Sequence, residues 1–146
     1  MYDMPEEIDV QADGALRIIT LNRPDDLNAV NDNLHVGLAR LWDALNEDAG
    51  ARAAVITGAG RAFSAGGDFT YLDELRSDEA LRQKTIKHGR DIVIGMVRCR
   101  IPVVAAVNGP AVGLGCSLAA LSDVVYIAEN AFFADPHVSI GLVAAD

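Results

Sequence analysis

Three short, uninterrupted apolar runs, at residues 53–57, 103–107 and 124–128, constrain this chain more than any other feature. Each is too short for an ordinary helix and is bounded by Gly, Pro or polar residues. A strand with apolar side chains on both faces must be covered on both, which is the situation in a parallel sheet. The segments between the runs carry a different period. Leu34, Leu38, Leu41, Trp42 and Leu45 recur at three- and four-residue steps from a cap at Asn31 or Asp32, which predicts an amphipathic helix. Leu81, Ile86, Ile92, Val93, Met96 and Val97 predict a second long helix that ends before Pro102. Residues 113–121, lacking bulk, predict a third, closely packed helix. Ahead of these, Ile8 to Ala12 alternates, Asp13-Gly14 is a turn signal, and Leu16–Leu21 is β-rich, so the chain opens with a hairpin. Past residue 58 the pattern reads as a long loop, Phe132 to Ala134 as a short strand and residues 135–141 as an irregular loop. The fold class is therefore α/β.

With 146 residues and no repeat, linker or low-complexity stretch, the chain reads as one domain over residues 1–146. Twelve basic against twenty-one acidic side chains give a net charge of −9, and no Lys/Arg run exists to neutralise phosphates, which argues against nucleic acid or an anionic membrane as partner. No leader or spanning segment is legible, so a cytoplasmic protein is expected. Cys99 and Cys116 lack metal-ligand spacing and read as buried, reduced thiols; no metal site is expected. His35 and His88 read as surface residues. The apolar residues just before Asp146 suggest a truncated chain.

Two segments set small residues between a buried strand and a helix: residues 60–68, and residues 108–116. In parallel α/β layouts ligands bind outside the carboxyl ends of strands, where free backbone N–H groups and a helix N-terminus meet an anionic oxygen. Gly66, Gly67 and Gly113 allow close approach without side-chain chemistry, so a site of converging backbone amides, an oxyanion hole, is one reading. Tight turns and close packing are the other. Neither a dinucleotide fingerprint nor a Gly-Lys-Ser/Thr phosphate loop is present.

Leu21-Asn22-Arg23-Pro24 with Leu27-Asn28-Ala29, residues 61–68 (Arg-Ala-Phe-Ser-Ala-Gly-Gly-Asp), and residues 101–109 with Gly113-Leu114-Gly115-Cys116 resemble the enoyl-CoA hydratase/isomerase family, also called the crotonase superfamily. That resemblance implies a spiral core of ββα turns, with a C-terminal helical part missing here, and assembly as a homotrimer or hexamer. It implies an acyl-CoA thioester substrate, with coenzyme A entering as part of the substrate and no separate cofactor. The N–H groups of Gly67 and Leu114 would bind the thioester oxygen. Leu114 stands where many members have glycine, which keeps the amide and narrows the acyl pocket. Arg23, Leu27, Ala29, Ala65 and Asp68 would surround the coenzyme A moiety. Two bland readings compete: Arg23 as a solvated charge, and Asp68 as a cap on the next helix.

At the positions of the family's two catalytic glutamates this chain has Ser117 and His137. Serine at ordinary acidity is no carboxylate base, so the two-glutamate hydration mechanism does not transfer. His137 and Asp146, nine residues apart, resemble the histidine-aspartate pair of 6-oxocamphor hydrolase, in which a carboxylate orients an imidazole that handles protons. The expected label is enoyl-CoA hydratase/isomerase in fatty acid metabolism. The alternatives are a C–C-bond or thioester hydrolase using His137 and Asp146, and a non-catalytic coenzyme A binder.

Overall fold

The computed structural model describes residues 2–143. The chain opens with the expected hairpin, β1 (Ile8–Asp13) against β2 (Leu16–Leu21), antiparallel and turning between Asp13 and Leu16. From β2 onward the chain repeats one pattern four times. First, β2 leads through an isolated bridge at Val30 into α1 (Asp32–Glu47). Next, β3 (Ala53–Gly58) leads through residues 64–67 into α2 (Phe69–Ser77) and α3 (Glu79–Val97). Then β4 (Val103–Val107) leads through β5 (Ala111–Val112) into α4 (Leu114–Ala120). Last, β6 (Val124–Ile127) leads through β7 (Phe133–Ala134) into a 3-10 turn, Val138–Ile140.

Each long strand joins one sheet, in the order β1-β2-β3-β4-β6, parallel from β2 onward. Each short extended piece joins a second row: Val30 bridges to Gly67, Ser64 to Ala111, and β5 pairs with β7. One long strand, one short extended piece and one helical segment per turn, doubled to α2 and α3 in the second, make the ββα spiral. The three apolar runs do lie side by side and parallel, as expected.

Alternate residues of the central strands, among them Ile19, Ile56 and Ala105, are fully buried and share one core with Leu34, Leu38, Leu41, Trp42 and Leu45 of α1. Asn31 caps that helix, its side chain accepting the Leu34 N–H at 2.9 Å. The covering expected of both strand faces fails at β6, where Val124, Val125, Tyr126 and Ile127 are all exposed because β6 is the sheet edge.

Three expectations need correction. The stretch read as a long loop contains α2, whose nine residues bury only Tyr71, so no apolar stripe announced it. His35 is buried rather than superficial, since it is in phase with Leu38, Trp42 and Leu45 on the core side of α1. Its ring lies 6.4 Å from that of Tyr71 and 6.0 Å from that of the half-buried His88. Cys99 and Cys116 are half-buried rather than buried, each near the end of a helix. No helix of the described residues is long and apolar enough to cross a membrane.

Candidate active site

The second row of short strands carries the site, because it ties together the loops that follow β2, β3 and β4. Val30 N–H donates to Gly66 O (2.7 Å), Asp68 N–H to Val30 O (3.0 Å), Ala65 N–H to Leu27 O (3.0 Å) and Val112 N–H to Ser64 O (2.9 Å). These bonds use the Gly66 carbonyl and the Asp68 N–H, on either side of Gly67, and leave the Gly67 N–H out. Gly113 donates to Ala134 O at 2.9 Å, and Cys116 and Ser117 donate back to Gly113 O, so the first amide of α4, that of Leu114, points out of the helix end unused. Among the described residues neither the Gly67 N–H nor the Leu114 N–H meets an acceptor.

Gly66 and Gly113 make this possible. Their φ angles, 85° and 53°, lie where side-chain-bearing residues are strained. The two loops also touch: a methyl group added to Gly113 would lie 3.7 Å from Gly66 Cα and 3.7 Å from His137 Cε1, with His137 Nε2 at 3.8 Å. The expected imidazole therefore stands at the junction of the two expected amide loops. Leu114 is buried, and Ser117 sits half-buried one turn further along α4.

His137 opens the 3-10 turn Val138–Ile140. Asp135 Oδ1 accepts its backbone N–H at 3.2 Å and makes a short contact with ring Nδ1. That contact, before any other cause, holds the Asp135 carboxyl below the usual carboxylate range. Asp146, the partner expected from sequence, lies outside the described residues. Asp135 was missed, although the Asp-Pro-His spacing was in view. A two-residue separation needs only one tight turn.

Arg23 is no solvated charge. Its guanidinium pairs with Asp68 Oδ2 (3.1 Å) and Asp26 Oδ2 (2.7 Å) and donates to Ala29 O. Asp68 is also the cap of α2, accepting the N–H groups of Thr70 (2.9 Å) and Tyr71 (3.3 Å). Burial works against its ionisation, but the Tyr71 N–H, Arg23 and the Thr70 N–H outweigh that and hold its carboxyl low. The structure thus brings Arg23, Leu27, Ala29, Ala65 and Asp68 into one laced patch beside Gly67.

Leu72 forms the other wall, with its Cγ 3.1 Å from where a Gly67 methyl would be. It lines a groove of about 1290 Å³ with Phe69, Ile86, Ile140 and Leu142. A larger groove, about 1790 Å³, runs between the N-terminal segment, the hairpin, α1 and α3, and touches none of Gly67, Leu114 and His137. Among the described residues no cluster of three His, Cys, Asp or Glu is placed to hold a metal.

The geometry describes a ββα spiral in which two loops, each with an amide that meets no acceptor among the described residues, touch next to an imidazole, and comparison with known proteins gives the class a name. The family model for enoyl-CoA hydratase/isomerase matches residues 11–146, and the chain belongs to that family. A mitochondrial enoyl-CoA hydratase from Pongo abelii is 38% identical over 126 residues, covering 86% of this chain and 42% of that protein. A putative enoyl-CoA hydratase from Thermus thermophilus is 37% identical over 135 residues, covering 90% of this chain and 53% of its own length. The crystal structure of an enoyl-CoA hydratase/isomerase from Mycobacterium paratuberculosis is 80% identical with a TM-score of 0.98, covering 99% of this chain and 58% of that one. The chain thus spans about half the length of the curated relatives it matches.

Proposed function

We propose that the protein is an acyl-CoA enzyme of the hydratase/isomerase type, in which the N–H groups of Gly67 and Leu114 donate to the thioester oxygen. The observation that carries this is the pair of acceptor-free amides in two touching loops beside His137. Donors about 3 Å from an oxygen that gains charge in the transition state, in a site shielded from water, stabilise an enolate far more than the neutral thioester. His137 Nε2 takes a proton from the carbon next to the carbonyl, the electron pair moves onto the oxygen, and the same imidazole returns the proton at the other end of the conjugated system. Leu27, Ala29 and Ala65 line the path of the coenzyme A moiety, and the Arg23–Asp68 pair holds that path against the start of α2. The acyl group then runs past Leu114 and Leu72. Coenzyme A belongs to the substrate and no separate cofactor takes part. A cytoplasmic setting in fatty acid metabolism and a homotrimer or hexamer complete the reading. Exposed β6 side chains support the assembly.

The carboxylate against His137 favours one further reading, hydrolysis. There the imidazole takes a proton from water, hydroxide adds to the carbonyl, and the oxyanion collapses to expel thiolate or, from a β-dicarbonyl, a carbanion that the imidazolium protonates.

The test assays full-length protein and His137→Ala against a β,γ-enoyl thioester, crotonyl-CoA and a β-keto thioester, following gain of the conjugated double bond, its loss, and free thiol separately. The variant should bind thioester normally in a calorimeter yet lose about 10²- to 10⁴-fold in turnover. Efficient hydration unaffected by His137→Ala contradicts the proposal, as does absence of binding at millimolar thioester. Equal inactivity of both proteins on every thioester that binds leaves a non-catalytic coenzyme A binder.

A further inference from the structure

We propose that Asp135 is the positioning residue of the site, fixing the His137 ring by accepting its Nδ1–H and so presenting Nε2 to the junction of Gly66 and Gly113. This rests on the reading of His137 as the proton-handling group. An ionised carboxylate can only accept, so the contact between Asp135 Oδ1 and His137 Nδ1 requires the proton on Nδ1. In the neutral ring the lone pair then sits on Nε2, the nitrogen 3.8 Å from where a Gly113 methyl would be. The same Oδ1 also takes the His137 backbone N–H at 3.2 Å, so one atom fixes both the main chain and the ring. The ring itself is mostly buried, its side chain 18% exposed, while Asp135 is 54% exposed, so the carboxylate is the more solvated partner and Nε2 lies on the Gly113 side. A base whose tautomer is set from behind has its lone pair aimed before substrate arrives.

Three variants of full-length protein test this alongside His137→Ala: Asp135→Asn, Asp135→Ala and Asp135→Glu. Nitrogen-15 NMR of labelled histidine, with the His137 signals assigned by their loss in His137→Ala, reads which nitrogen carries the proton. The native ring should carry it on Nδ1. Asp135→Asn and Asp135→Ala should shift it toward Nε2 and lower kcat about 10- to 100-fold, less than for a fully buried orienting carboxylate, with KM and thioester binding nearly unchanged. Asp135→Glu should recover part of the turnover. An unchanged tautomer and turnover in Asp135→Asn and Asp135→Ala overturns the assignment. So does a loss of kcat matched by a rise in KM with the tautomer unaltered, which marks a merely structural turn. If His137→Ala turns over normally, the reading of His137 has failed, and the tautomer record still decides whether Asp135 holds the ring.

Discussion

Gly113 holds φ 53° and ψ −120°, a conformation that glycine alone adopts readily, and it does so at the residue that frees the Leu114 amide. Gly113→Ala should therefore cost about 1–3 kcal/mol in urea unfolding and lower kcat/KM as well, because the strain is relieved by moving the amide. Gly67→Ala is the contrasting case. Gly67 has no positive φ, and the atoms nearest its added methyl are Cδ1, Cγ and Cδ2 of the Leu72 side chain at 3.1, 3.1 and 3.2 Å, which can give by a few tenths of an ångström, so Gly67→Ala should unfold at nearly the native urea concentration. At this scale the sequence was partly legible. The glycines stood out as small residues in loops after buried strands, with an oxyanion hole or tight turns as the two readings, while Leu114 and His137 were legible only through the family resemblance. The roles of Arg23 and Asp135 did not stand out, since a hydrogen bond depends on where two side chains end, not on which residues are present. His88 offers a pH test. Burial first, and then Lys84 and Lys87, push its imidazole below the ordinary value of 6.5, against weaker support from Asp32 and Asp91. Between that value and the lower folded one, the unfolded chain binds the extra proton, so stability should fall as pH drops below 6.5. His88→Gln should flatten the pH dependence of the urea midpoint in that window, and an unchanged slope contradicts this.

Helices α1 and α3 meet where Gly95 faces Trp42. A methyl group on Gly95 would stand 2.8 Å from Trp42 Cδ1, and the indole is a rigid plate at 0% exposure. Gly95→Ala should thus destabilise by about 1–3 kcal/mol in thermal or urea unfolding, the range for overpacking, although alanine is the better helix former. Helix α2 depends on its cap. Asp68→Ala removes the acceptor for Thr70 and Tyr71 and one of the two carboxylates on Arg23, and should cost about 0.5–2 kcal/mol while speeding amide exchange across Phe69–Ser77 first. The long strands were readable in advance as alternating, β-rich or continuously apolar runs, and α1 because its buried residues recur at three- and four-residue steps. The helix α2 and strand β5 were not, since α2 buries one side chain and β5 is two residues held by partners far along the chain.

On the scale of the whole molecule, the alternation of strands and helices showed α/β, while the spiral was legible only through the family resemblance. Periodicity says that a strand is buried, not that its loop returns to a second row beside the previous turn. That second row ties the loops together: Val30, residues 64–67 and Ala111 lie in successive turns, so the loops that carry Gly66 and Gly113 are brought into contact by the spiral rather than by proximity in sequence. Sedimentation of full-length protein at micromolar concentration should show a trimer or hexamer, and a monomer contradicts that part of the account. The central claim, that the two amides hold a thioester oxygen beside His137, is tested most directly by a crystal structure of full-length protein with an unreactive acyl-CoA analogue. The account predicts the carbonyl oxygen about 3 Å from both Gly67 N and Leu114 N, with His137 Nε2 facing the adjacent carbon. A thioester seated instead in the larger groove between the hairpin, α1 and α3, or bound with its oxygen away from both amides, contradicts it.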